Sequence, residues 1–448
     1  MINKFKKLFR SSESLSLMTN MSVAAFGFLS FMFLARTFEK DQFGEWLLYL
    51  VTAGLIEMLR FAITRVSIIK FLSGAKPDER KQLMGSNWLL GLILTTILIV
   101  IILAIKFLFP TWIESSGYYY FFTWYPVLAI VNLPYNNALG VLQADQNFKS
   151  ILTIRVFSTG TFFLFIIINF LFLNLGIQSV IWAHLVVNLL TSLLSIVKRW
   201  DGIENLFKAT REYNLKLFHF GKFTIGTMIG SNLLKSADTI LIGLSPMGAA
   251  AVALYSVPLK LTEIMEIPLR SFMATAFPKM SKASAGDKND EVRNVFYTYS
   301  GAITLLFIPI ALICIIFAKY FILILGGEQY LETSVPIILF QIFAVYGLFL
   351  PIDRFTGVAL DSINKPKKNF YKVIVMASLN IIGDLIALYV FNSLIMVAMV
   401  TIIFTIVGQI IGFQYLKKEI PVGYFNIFKY GYNFYRHAYH EIVKGNKN

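Results

Sequence analysis

The chain predicts an all-α integral membrane protein of about 12 transmembrane helices, arranged as two pseudo-symmetric six-helix bundles around a central cavity. Three observations carry this prediction. Of its 448 residues, 57% are hydrophobic and only 15% are charged, whereas a soluble globule carries about 25% charged residues. Apolar runs of the length that crosses a bilayer, about 20 residues, recur along the chain, and the mean hydropathy is +0.67. Lys and Arg gather in alternate connections between those runs, the pattern that orients a membrane protein. The runs are too long, and alternate too little, for barrel strands.

Residues 1–16 carry Lys4, Lys6, Lys7 and Arg10 ahead of an apolar run from Leu17. That order imitates a secretory leader, but the many later spans make it an uncleaved, cytosolic, amphipathic start to the first helix. Spans are predicted at 17–36, 43–71, 83–109, 118–142, 150–173 and 177–197, then at 217–244, 249–278, 293–317, 333–359, 370–391 and 394–416. With the N-terminus inside, the inside segments and span edges hold 28 of the 40 basic residues. The outside ends hold Arg36, Lys40, Lys106 and Lys319. Both termini are therefore expected in the cytosol. The outside loops are short and leave no room for an extramembrane catalytic domain.

The longest inside connection, 198–216, is a cytosolic linker between an N-terminal bundle (17–197) and a C-terminal one (217–416). The halves echo one another. Leu133-Pro134 followed by Gly140-Val141 recurs as Leu350-Pro351 followed by Gly357-Val358, an offset of 217, and Gly44 to Glu57 aligns with Ala253 to Glu266, an offset of 209. Six helices separate the copies, so equivalent helices point the same way, as in parallel transporter repeats. Residues 417–448 alternate Lys417, Lys418, Lys429 and Arg436 with Phe425, Phe428, Tyr430, Phe434 and Tyr435. This tail is too polar to span and reads as a cytosolic amphipathic helix on an anionic leaflet.

Composition also excludes functions. The net charge of +15 lies in short loops between apolar runs, so it is no nucleic-acid footprint. Cys314 is the single cysteine, which excludes a disulfide framework and a thiolate metal site. His437 and His440 are too few ligands for zinc. No Walker-type loop is present, so direct use of ATP is not expected, and neither is a cofactor or a metal centre.

The informative residues are charges inside apolar spans, which cost a few kcal/mol unless they face a partner or water. The predicted spans contain the bases Arg60, Arg65, Arg155, Lys222, Lys235, Lys260, Arg270 and Arg354, and the acids Glu57, Asp238, Glu263, Glu266, Asp353 and Asp384. On an ideal helix Lys260, Glu263, Glu266 and Arg270 share an arc of about 120°. Glu57, Arg60 and Thr64 share a face of the second span, and Asn232, Lys235 and Asp238 a face of the seventh. Plainer readings exist for some. Arg65, Arg155, Lys222 and Arg354 lie near the cytosolic edge, where long side chains snorkel. Lys235 with Asp238, and Glu57 with Arg60, have the spacing of helix-internal pairs. The excess of bases suits an anion, and a phosphate or diphosphate matches guanidinium and ammonium groups. Pro258, Pro268 and Pro278 add bend points to the eighth span.

Several segments then resemble a known family. Ala35-Arg36-Thr37-Phe38 with Phe43-Gly44, Phe220-Gly221-Lys222 through Leu234-Lys235-Ser236-Ala237-Asp238, Gly326 to Tyr330, and Gly357 through Asn364-Lys365-Pro366 occur in the order of its landmarks. The chain resembles the polysaccharide-exporter (Wzx-type oligosaccharide flippase) branch of the multidrug/oligosaccharidyl-lipid/polysaccharide superfamily, over nearly its whole length. The resemblance implies a V-shaped pair of bundles around a cationic cavity. It also implies movement of an isoprenyl-diphosphate-linked oligosaccharide from the inner to the outer leaflet of a bacterial cytoplasmic membrane, beside polysaccharide polymerase machinery. On this expectation the protein is not an enzyme. Arg36, Arg60, Lys235, Lys260 and Arg270 hold the diphosphate or acidic sugar. Glu57, Asp238, Glu263 and Glu266 balance charge or carry a coupling ion, a proton or sodium. The rivals are a drug exporter of the same superfamily, which should favour acidic cavities, and a polytopic polymerase or glycosyltransferase, which needs a catalytic loop outside.

Overall fold

The computed structural model describes residues 12–445, except the side chains of 12–14, 17, 222–235, 438 and 441–445. All regular structure among the described residues is helical. The first half comprises α1 (Ser12–Thr37), α2 (Lys40–Leu72), α3 (Pro77–Leu108), a short α4 (Pro110–Ser115), α5 (Tyr119–Val131), α6 (Leu133–Ala144), α7 (Phe148–Ile168) and α8 (Ile177–Val197). A 3-10 turn, Ile203–Lys208, leads to α9 (Arg211–Leu244) and α10 (Gly248–Ala285). Then come α11 (Asn289–Ile316), a short α12 (Ala318–Gly326), α13 (Val335–Ser362), α14 (Pro366–Tyr389), α15 (Leu394–Lys417) and α16 (Tyr424–Gly445). Among the described residues nine helices are long and apolar enough to cross a bilayer. The expected fourth span is two helices, α5 and α6, broken at Asn132, and α9 and α10 carry the interior charges.

Local chemistry sets the boundaries. Pro77, Pro110, Pro336 and Pro366 open helices, where the missing N–H costs nothing. Asn147 caps α7 by accepting the Ser150 N–H at 3.2 Å. A π-turn ends α7, and Asn174 then turns left-handed (φ 48). There the Asn169 amide grips both the N–H and the carbonyl of Leu175. Pro258, Pro268 and Pro278 do not break α10, which is one helix throughout.

The chain folds as two compact units. One runs to Ser236 and takes in Gly248–Ala253, and the other holds Ala237–Met247 and the chain from Leu254 onward. The division lies inside α9, further along than the expected boundary after the linker. Packing explains why. Gly221 has its Cα face against the backbone of Ile63, the Ser67 hydroxyl donates to the Leu217 carbonyl at 3.0 Å, and the Phe71 and Phe220 rings meet edge-on. The linker also docks on α3: the Trp88 indole donates to the Asp201 carbonyl at 2.8 Å. Gly85 leaves space that the Asn205 carbonyl fills. In the first turn of α2 Asp41 accepts the Ala250 N–H at 3.1 Å, capping α10 from 209 residues away, and Gly44 and Gly117 leave room for Ala249. That offset equals the internal repeat, so equivalent positions of the two halves meet here.

Asp201 is buried with neither carboxylate oxygen hydrogen-bonded. Burial pushes its carboxyl from 3.8 up to about 6, nearby backbone amides opposing without prevailing. The folded chain therefore holds this proton more tightly than the unfolded chain, and stability falls as pH rises through that interval. Asp201→Asn should stabilise the fold at neutral pH by about 3 kcal/mol, read as a higher thermal midpoint. The gain should vanish below about pH 4, and a midpoint equal to wild type across the pH range would show that the carboxylate carries no strain.

In the second unit α13 packs against α11, α14 and α15. Lys372 donates to both the carbonyl and the carboxylate of Asp353 at 2.9 Å, and both residues are buried. Removing one partner from such a buried pair strands the other charge, at a cost of about 3–5 kcal/mol.

Candidate transport site

The stripe on α10 is real, but its charges are paired. Lys260 donates to Glu263 at 2.7 Å, and Arg270 donates to Glu266. The four charges sum to zero, so the expected positive excess is not a property of this stripe. Two of the side chains are nonetheless open: Arg270 is 64% and Glu263 57% exposed. Ile264 and Ile267, one step round the helix, are 50% and 58% exposed. One helix face thus presents a charged strip beside an apolar one. On α13, Arg354 is ringed by Tyr346, Asp353 and Glu266. Its Nε lies 4.0 Å from the Asp353 carboxylate, and the side chain is partly exposed.

Arg60 has a different role from the one expected. It is 2% exposed. Its guanidinium donates to Thr95 at 2.9 Å, to the Ala129 carbonyl at 2.5 Å, and to Glu57 and Asn132 at 2.6 Å. Tyr125 donates to the other Glu57 oxygen at 2.7 Å, and Asn132 to the same carboxylate at 2.9 Å. Nothing remains of Arg60 for an anion except its buried Nε, which has no partner. The pair acts as a knot that ties α2 and α3 to the break between α5 and α6.

Asp238 gathers the third constellation, from four helices of the second unit. Tyr255 on α10 donates to it at 2.5 Å, Asn380 on α14 at 3.0 Å and Thr401 on α15 at 3.4 Å. Asn380 also reaches Asp384 at 3.1 Å. Asp238, Asn380, Asp384 and Thr401 are all buried, and the Asn380 Oδ1 and Asp384 Oδ1 atoms have no hydrogen-bond partner. Two buried carboxylates repel strongly unless a proton or a cation lies between them. The Lys235 side chain lies outside the described residues. The donors are all hard oxygens, and two carboxylates suit a proton or a monovalent cation such as sodium.

Arg36 lies in the last turn of α1, exposed, in the first unit with Arg60; Lys260 and Arg270 belong to the second. Sequence reasoning gave Asp384 and Lys372 no role. It also passed over Tyr125, Asn132 and Asn380. A polar residue in an apolar span was the available signal in each case.

Fold and site together define a multi-helix membrane protein with charges inside its long helices. Its fold is shared with solved transporters and flippases. The inward-facing conformation of a multidrug resistance MATE family transporter superposes with a TM-score of 0.72 at 13% identity, covering 92% of this chain and 98% of that one. The lipid II flippase MurJ in an inward closed conformation gives 0.70 at 16% identity, covering 96% and 92%. The family described as polysaccharide biosynthesis protein matches residues 33–335, more than half of the chain, and the chain belongs to it. It is also 21% identical over 425 residues to a probable low-salt glycan biosynthesis flippase, Agl15, of Haloferax volcanii, covering 93% of this chain and 84% of the relative. These relatives are transporters and flippases by name, in agreement with the expectation of a protein that is not an enzyme.

Proposed function

We propose that the chain flips an isoprenyl-diphosphate-linked oligosaccharide from the inner to the outer leaflet of a bacterial cytoplasmic membrane by alternating access, with both termini cytosolic. The observation that carries this reading is the exposed face of α10. A charge at bilayer depth needs water or a headgroup, so open Arg270 and Glu263 belong to a wet cleft. Ile264 and Ile267 alongside suit an isoprenyl chain. Glu263 and Glu266 serve as internal counter-ions that the diphosphate displaces from Lys260 and Arg270. Guanidinium then forks phosphate oxygens, and ammonium acts as a point charge. Arg36 and Lys235 remain further anion contacts on this reading, whereas Arg60 holds the fold of its unit.

The Asp238 cluster takes the coupling ion, a proton or sodium. Its charge changes when the ion enters or leaves, and Tyr255 passes that change directly to α10, the helix that bears the stripe. The flipped unit would then pass to polymerase machinery. Membership of the polysaccharide biosynthesis family and the names of the relatives support the class of cargo. The test is removal of the gene product from its own cell. Lipid-linked saccharide should accumulate on the cytosolic leaflet. No accumulation, together with lost efflux of a fluorescent organic cation, would make the protein a drug exporter instead; a covalently altered saccharide would make it an enzyme.

A further inference from the structure

The tail helix α16 presents two parallel stripes that nothing in the transport cycle uses. Phe425, Tyr432 and Tyr439 recur every seven residues and are 84%, 63% and 65% exposed. Lys429 and Arg436 follow the first two of them by four residues, which sets each base beside an aromatic ring on the helix surface. The helix is held from another side. Gly431 and Gly301 meet backbone to backbone, where a Cβ on either would collide. Tyr297 accepts the Gly423 N–H at 2.6 Å, and Tyr435 donates to the Ala302 carbonyl at 2.9 Å. These contacts fall in the early turns of α11, just past its charged start at Asp290, Glu291 and Arg293.

We propose that α16 is an in-plane anchor that docks on a leaflet of anionic lipid, its aromatic stripe in the headgroup and upper acyl region and its basic stripe on the lipid phosphates. Charge complementarity selects this occupant. Lys417, Lys418, Lys429 and Arg436 line the segment. Its one carboxylate up to Tyr439, Glu419, is held by Lys365 and Lys368. The hydrogen bond from Lys368 draws the Glu419 carboxyl below its usual value, so this acid does not neutralise the basic stripe. Aromatic rings with basic neighbours on a helix of wide apolar arc match an interfacial helix. A second copy of the chain would bury the rings equally well, but it would gain nothing from the bases, which repel their own kind.

The full-length protein decides this. A bimane probe is placed at Tyr432→Cys in a Cys314→Ser background and the protein is set in lipid nanodiscs. The expected result is quenching by lipid bearing a shallow nitroxide and protection from aqueous iodide, both stronger with phosphatidylglycerol than with phosphatidylcholine alone. Lys429→Glu with Arg436→Glu should abolish the phosphatidylglycerol effect. Gly431→Leu, which undocks the helix, should lower nitroxide quenching even with the basic stripe intact. Iodide access with no nitroxide quenching overturns the proposal. So does a probe shielded only when two copies share a disc.

Discussion

Arg270→Glu together with Lys260→Glu abolishes export of the saccharide while the protein still accumulates in the membrane. Each change turns a cation of the α10 stripe into an anion, and the stripe goes from neutral to four negative charges. A phosphate charge about 5 Å from one reversed residue, at an effective dielectric of ~20, is repelled by about 3 kcal/mol. That corresponds to roughly 200-fold weaker binding for each site. Folding should survive, because Arg270 is largely exposed and neither side chain supports a buried knot of the kind built on Arg60. Arg270→Lys, which keeps charge but loses the fork, should fall between the two. The readout is surface polysaccharide against protein level. Undiminished polymer in the double mutant would remove α10 from the cargo route.

Asp384→Asn removes ion-linked stabilisation and stops transport. The substitution keeps the shape and the Asn380 contact but takes one of two carboxylates from a site built of oxygens. If sodium is the ion, wild type gains about 2.7 kcal/mol of stability at a hundredfold excess over its Kd. This gain should be absent in the mutant and absent when potassium or choline replaces sodium. If a proton is the ion, the wild-type midpoint rises with acid instead, and the mutant responds less. Thermal unfolding of the detergent-solubilised chain, scanned over salt and pH, separates the two. A mutant with full wild-type responses to both would show that Asp238 and Asp384 are structural.

The stripe on α10 was legible because its partners lie three and four residues apart, the reach of one helical turn. Lys260–Glu263 and Glu266–Arg270 follow from spacing alone, as does Glu57–Arg60. What spacing could not show is which pairs are open and which are sealed. Arg60 and Arg270 look alike in sequence. The first is locked by Asn132 and the Ala129 carbonyl, about 70 positions away, and the second stands open. Asp238 was singled out as half of a pair with Lys235, yet its hydrogen-bonded neighbours come from positions 255, 380 and 401. Lys372 received no role from the sequence, because it stands a few residues past the basic run from Lys365. Only the crossing of α13 and α14 revealed its buried bond to Asp353.

By itself the sequence determined the solvent of this protein, its all-helical make-up and the kind of charge each helix carries. Those properties follow from local hydrophobicity and helical periodicity, which need no knowledge of neighbours. The tertiary structure decided where the units divide, which cations are spent on the scaffold, and that two distant aspartates share one buried site. Burial and electrostatic partnership arise between segments far apart in the chain, so the same Arg or Asp acquires its role only from the helices packed around it.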